Sequence, residues 1–340
     1  MATLQLQSCQ HRLLFHIGNT SYYIHHYDHV STAATSNSTR IMPSNNPRIE
    51  EVLANTSDEA QQIDEIAKIR RWFGPDDNSP TYPIIQQYLS DDLDLATTTA
   101  RLLDPIDAKL SAGHARSANW LELWYSILHS AKRIPFRTSP GSTAKLVSLM
   151  RAIQQHQDPR NAPGESGAYT TLKDFSLASR EAQNDTPQPF GTPYAAEVHA
   201  WANLHFFWAA LTRAGVLGFQ TSAYWVIWMM RSALETVPRD DAESSAAQKC
   251  DGDVPAAAAW VFGAGRAVYE NERDLTPTRP MQGNPARGGE LWTGRAEMSK
   301  GRWALWKRRF GEVAEMEGVS EETRDIAREA VGKMEEAERG

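Results

Sequence analysis

The stretch from residue 193 to 235 constrains the fold most, because it holds two apolar, tryptophan-rich helical patterns joined by the short turn 215–220. In the first, Trp201, Leu204, Trp208 and Leu211 recur at steps of three and four, which places them on one face of an α-helix. Thr192 followed by Pro193 reads as an N-cap with proline at N1, and Gly215 suits the left-handed position that closes a helix. In the second, Tyr224, Ile227, Trp228, Arg231 and Leu234 share a face, while Trp225, Val226 and Met229 make the opposite side apolar too. A helix apolar nearly all round belongs in the centre of a protein, so this pair is expected to be the hub of the fold.

The rest of the chain supplies helices to surround it. Thr56 and Glu59 read as a capping box for a helix carrying Ile63, Ile66, Arg70 and Phe73 on one stripe, stopped by Gly74-Pro75. Further helices are expected over Ile84 to Leu89 and Asp91 to Leu103. Trp120, Leu123, Trp124, Ile127, Leu128 and Ala131 form one of the cleanest helical stripes, ended by Ile134-Pro135. Ser142 is expected to cap the next helix, and a short one runs from Leu172 to Ala182 between loops rich in Pro, Gly, Asp and Asn. Residues 237–252 read as a mobile loop, followed by a helix that starts at Asp253 with Pro255 in its first turn. Ser299 caps a helix carrying Trp303, Trp306, Phe310 and Val313, and Ser320 caps a last, polar one with Ile326, Ala330, Val331 and Met334 as a narrow stripe. No strand pattern of similar quality occurs. The expected fold is all-α, a single irregular helical bundle or array over residues 56–338, with residues 1–55 as a disordered extension.

Composition narrows function by exclusion. A net charge of −7 argues against a general nucleic-acid binder, which needs a basic surface. Two cysteines far apart, Cys9 and Cys250, allow neither a disulfide framework nor a four-cysteine zinc site. The apolar run at the N-terminus is too short for a signal peptide, and the run 223–230 falls far short of the roughly 20 residues that span a bilayer. An intracellular protein is therefore expected, cytoplasmic with the nucleus left open, without a membrane span.

Three local patterns invite chemistry and fail on their surroundings. His25 and His29, with His26 and Asp28, have a metal-ligand spacing but no third ligand and no strong helix around them. Gly263-Ala264-Gly265 lacks the third glycine of a dinucleotide fingerprint, since Val268 stands there, and the preceding alanines are helical. Small residues at that place suit close helix packing. Lys300, Arg302, Lys307, Arg308 and Arg309 make a basic face, but Glu297, Glu312 and Glu315 surround it and favour a solvated surface.

Four segments together resemble a known family. They are Trp201-Ala202-Asn203-Leu204, Leu211-Thr212-Arg213-Ala214-Gly215-Val216, Val254 to Trp260, and the run from Leu291-Trp292 to Arg302-Trp303-Ala304-Leu305-Trp306. With the Trp120 to Pro135 helix they are similar, over residues 82–338, to the fungal family of uncharacterised proteins called domain of unknown function 3632. The resemblance implies a fungal source and a mostly helical intracellular protein, and supplies no catalytic residues and no cofactor.

The remaining candidates are polar side chains among the aromatics of the central pair: His199, Asn203, His205 and Arg213 on the first helix, Arg231 and Glu235 on the second. Converging, they would form a pocket able to hold an acid or base. Dispersed, they would serve structure, with Asn203 on helix-end carbonyls and Arg231–Glu235 as an i,i+4 ion pair. No catalytic, metal or cofactor site is identified. The favoured expectation is a protein-interaction or scaffold module with a protein partner. The alternative is an enzyme or small-molecule binder with an apolar pocket between the central helices.

Overall fold

The computed structural model describes residues 12–17, 20–25, 46–74, 80–279 and 283–340. Twelve α-helices dominate the described residues, and strands are confined to two short antiparallel ladders, so the fold is all-α as expected. The first ladder pairs β1 (Arg12–Ile17) with β2 (Thr20–His25). Most of the expected extension lies outside the described residues, as does His29 of the His25/His29 pair. Its last part departs from expectation, because residues 47–55 form a helix, α1 (Pro47–Asn55). The Asn46 side chain accepts from the Arg48 N–H, Pro47 fills N1 and Ile49 is buried. Ile49, Val52 and Leu53 stand at helical spacing, with Ile49 buried and Leu53 packed on the same cluster, but this stripe is too short to stand out in the sequence.

α2 (Glu59–Arg70) is capped by Asp58 rather than Thr56. Together α1 and α2 hold a satellite core in which Ile49, Ile63 and Ile66 meet Tyr194, Ala196 and Ala200. The main core is one contiguous cluster drawing on α3 (Thr81–Leu89), α4 (Leu95–Ser111), α5 (Trp120–Lys132), α6 (Pro140–Gln155), α7 (Phe175–Ala182) and every later helix. α4 starts at its Asp94 cap and runs through Pro105, beyond the expected end at Leu103. All six residues of the α5 stripe are buried. α6 starts at Pro140 behind Ser139, two residues ahead of the Ser142 cap that was expected.

The axis of the molecule is α8 (Ala195–Arg213) packed on α10 (Ala246–Glu270). α8 begins at Ala195, past the expected Thr192–Pro193 start, and the Thr192 hydroxyl accepts instead from Gln248 Nε2 at 3.0 Å. Gly215 does take the left-handed conformation, φ 71°, and closes α8 as the sequence suggests. α10 starts well before Asp253, with a reciprocal capping box between Ser245 and Gln248. Its first turns are polar, so no apolar stripe announces them. Farther along, a Cβ on Gly263 would lie 2.6 Å from the Ala209 Cβ, so the glycine permits the close approach of the two helices. The backbone kinks beside it, at Ala264.

α9 (Phe219–Met230) leads into one π-helical turn, Arg231–Glu235. α11 (Lys300–Ala314) and α12 (Glu321–Arg339) close the far side, capped by Ser299 and Ser320 as expected. Between α10 and α11 the chain forms the second ladder, β3 (Arg273–Asp274) with β4 (Glu297–Met298). Among the described residues no helix is long and apolar enough to cross a membrane.

Candidate functional site

The six polar side chains of the central pair do not converge. His199 lies between two other helices, with Nδ1 2.6 Å from Glu59 of α2 and Nε2 3.1 Å from Glu322 of α12. Both ring nitrogens can donate to carboxylates only when the imidazole is protonated, and the hydrogen bond to Glu59 raises the His199 pKa against the opposing effect of burial. Asn203 points to the end of α5, where its amide donates to the Lys132 carbonyl at 2.9 Å and accepts from the Phe136 N–H at 3.2 Å. His205 is buried among Trp201, Trp208 and Trp260. Its Nδ1 accepts from Trp260 Nε1 at 2.7 Å, and burial, with Lys132 adding, pushes its pKa down to about 3, so the ring is neutral. Arg213 is exposed in the last turn of α8.

Arg231 and Glu235 are not an ion pair with each other. Arg231 Nη1 donates to the carbonyls of Pro285 and Arg287, both at 3.0 Å. Glu235 is fully buried and pairs with Arg302, which is fully buried as well. Its Oε1 accepts from Arg302 Nε at 2.6 Å and Trp306 Nε1 at 2.7 Å, and its Oε2 accepts from Arg302 Nη2 and the Gly289 N–H, each at 2.9 Å. The remaining guanidinium hydrogens go to the carbonyls of Ala286, Glu297 and Arg287. All five N–H groups of the fork are thereby used, the condition under which a buried charge is tolerable. The Glu235 carbonyl also accepts from the Leu291 N–H at 2.9 Å, and a Cβ on Gly289 would fall 2.6 Å from that oxygen. The π-turn at the end of α9 thus bolts the segment 284–298 to α11.

The same geometry dissolves the basic face. Arg302 is internal, Lys307 pairs with Glu338, Arg308 and Arg309 with Glu312, and Lys300 sits over the Tyr269 ring. These cations are engaged within the fold, as Arg137 is with Glu329 elsewhere.

Through Pro285, the bolted segment closes one end of a surface groove of about 390 Å³. Leu177 and Arg180 of α7 face Tyr224, Trp225 and Trp228 of α9, with Pro285 at one end. Tyr224 and Trp228 are half-buried, and their ring centroids are 6.4 Å apart. Trp228 Nε1 donates to the Pro285 carbonyl at 2.8 Å, so Pro285 is held by Trp228 and Arg231 together. Arg180 is exposed, and its nearest paired carboxylate, Glu181, is 3.7 Å away. Among its described lining residues the groove offers apolar surface and one cation, and no general acid, base or nucleophile beyond the hydroxyls of Ser176, Thr221 and Tyr224. Among the described residues there is no group of three side chains able to hold a metal ion. Tyr224 and Trp228 were legible as one helical face, whereas Leu177, Arg180 and Pro285 carry no signal that would join them to it.

An all-α protein with an aromatic surface groove braced by a buried ionic centre is the class these features define. Residues 124–310, more than half of the chain, match the family described as Protein of unknown function (DUF3632), and the chain belongs to that family. The match runs from α5 into α11, so it includes the groove, Glu235 and Arg302 and leaves out α1 to α4 and α12. No curated protein and no solved structure matches the chain.

Proposed function

We infer that the protein is an interaction module whose groove between α7 and α9 takes an extended segment of a partner protein. The observation that carries this reading is the aromatic wall of Tyr224, Trp225 and Trp228 with the exposed Arg180 at its rim. Aromatic rings and arginine are enriched at protein interfaces and among the side chains whose truncation costs most binding. The complementary segment places a proline or aromatic side chain on the Tyr224 and Trp228 rings and a carboxylate opposite Arg180. An enzyme pocket between α8 and α9 has less to support it, since His199, Asn203, His205 and Glu235 are engaged with four different parts of the fold.

Selection from a random peptide library displayed against the whole protein tests this. Enrichment of peptides pairing an acidic residue with a proline or aromatic, and at least tenfold weaker binding of them to Arg180→Glu, is the expected result. Failure to enrich any motif, or enriched peptides indifferent to Arg180→Glu and Tyr224→Ala, contradicts it.

A further inference from the structure

The Pro285 end of the groove carries more positive charge than the fold neutralises. Arg231 interacts electrostatically with two further cations, Arg287 and Arg302, and with one carboxylate, Glu235. That carboxylate belongs to Arg302, whose Nε and Nη2 hold Oε1 and Oε2, while Trp306 Nε1 and the Gly289 N–H donate to the same two oxygens. Glu290, the next acid along the segment, is gripped at both oxygens by Arg239. Among the described residues no carboxylate pairs with Arg231 or Arg287. Burial and then the neighbouring Arg287 hold the Arg231 pKa below its usual value, against the opposing pull of Glu235, which is the direction for a cation set beside like charge.

Arg231 also uses only part of its fork within the fold. Nη1 donates to the carbonyls of Pro285 and Arg287, and among the described residues no acceptor meets Nε or Nη2. Those two nitrogens form the side-on edge of the guanidinium, the edge by which Arg302 grips Glu235, and its spacing matches two oxygens of a carboxylate or a phosphate. Arg231 is half-buried and Arg287 is exposed. The two carbonyl bonds fix the Arg231 guanidinium before any ligand arrives, which lowers the ordering cost of binding. They also place it at the groove, because Pro285 lines the groove and shares its carbonyl between Arg231 and Trp228.

We propose that this end of the groove is a subsite for a phosphate monoester carried on the partner segment, with two phosphate oxygens on Nε and Nη2 of Arg231 and a third facing Arg287. The proposal rests on the reading of the groove as a docking surface for an extended segment, and it adds phosphorylation of that segment as the control on docking. A carboxylate offsets one of the two uncompensated guanidiniums, whereas a phosphate monoester, with a charge of about −1.5 to −2 at neutral pH, offsets both.

The test uses the full chain with ¹⁵N-labelled tryptophan indoles at about pH 8, above the second phosphate pKa of about 6. The Trp228 Nε1 resonance reports on the Pro285 carbonyl that it shares with Arg231. Inorganic phosphate should move this resonance saturably, acetate should bind at least fivefold more weakly, and Arg287→Ala should weaken phosphate at least fivefold. Arg287 gives the fold only backbone contacts, so the variant keeps the bonds to Arg231 and Arg302. A degenerate peptide pool with a fixed phosphoserine, set against the same pool with serine, separates a phosphorylated segment from a free anion. The unaltered protein should retain the phosphorylated pool at least fivefold more strongly, and Arg287→Ala should abolish that advantage. Phosphate no tighter than acetate, phosphate indifferent to Arg287→Ala, or equal retention of the two pools overturns the proposal. Failure of the groove reading shows separately, as retention that is indifferent to Arg180→Glu and Tyr224→Ala while its dependence on Arg287 upholds the phosphate subsite.

Discussion

Glu235 joins three parts of the molecule that are far apart in sequence, the end of α9, the segment 284–298 and α11, through a single carboxylate. The pair with Arg302 need not exceed a well-packed apolar pair in stability, because both charges have left water. Its removal is another matter. Glu235→Gln keeps the shape but leaves the Arg302 guanidinium buried beside a neutral group, at a cost of about 3–5 kcal/mol. Urea denaturation of the variant should show this loss, with a fall in protection of the Gly289 and Leu291 amides in hydrogen exchange. A loss of unfolding free energy below about 1 kcal/mol would mean that water reaches the site and that the bracing of Pro285 rests on Trp228 and Arg231 alone.

At the scale of elements, close approach of α8 and α10 leaves no room for a side chain at Gly263. Gly263→Ala places a methyl group 2.6 Å from the Ala209 Cβ and 3.3 Å from the Phe206 carbonyl oxygen, and should destabilise by about 1–3 kcal/mol through overpacking. Gly252, in the same helix with nothing within 4 Å, should instead gain about 0.5–1 kcal/mol when changed to alanine. Thermal melts of the two variants, moving in opposite directions, check both. Helices with a wide apolar stripe, such as α5, or with a side-chain cap, such as α11 and α12, were legible in the sequence by that feature. Those that begin with polar turns or carry only a short stripe were not, since the first turns of α10 rest on a cap and tertiary contacts and α1 has a stripe of only Ile49, Val52 and Leu53. The candidate site was legible only in part for the same reason. Periodicity puts Tyr224 and Trp228 on one face, but it cannot bring Pro285 to them or turn Arg302 inward to a glutamate 67 residues away.

Across the whole molecule, His199 links the α1–α2 unit to α12 through α8, and this link depends on pH. Its folded-state pKa is raised above the unfolded value of about 6.5, so the stabilisation is complete below that value and is lost as pH rises through the folded pKa. His129 and His205 act oppositely, because burial lowers their pKa values, and their contribution is lost as pH falls below about 6.5. The His199 contribution is therefore read as a difference: unaltered protein minus His199→Gln should shrink between pH 5.5 and pH 8.5 in parallel urea titrations. A difference constant with pH would show that His199 is not protonated between Glu59 and Glu322. The groove lies apart from this link, on α7 and α9, and its role as a partner-binding surface is tested most directly by a charge-swap cycle in calorimetry. A library-selected peptide should bind the unaltered protein and lose at least tenfold in affinity for Arg180→Glu, and changing the acidic residue of the peptide to lysine should restore most of that loss. Equal affinity of the original peptide for both proteins would contradict the account.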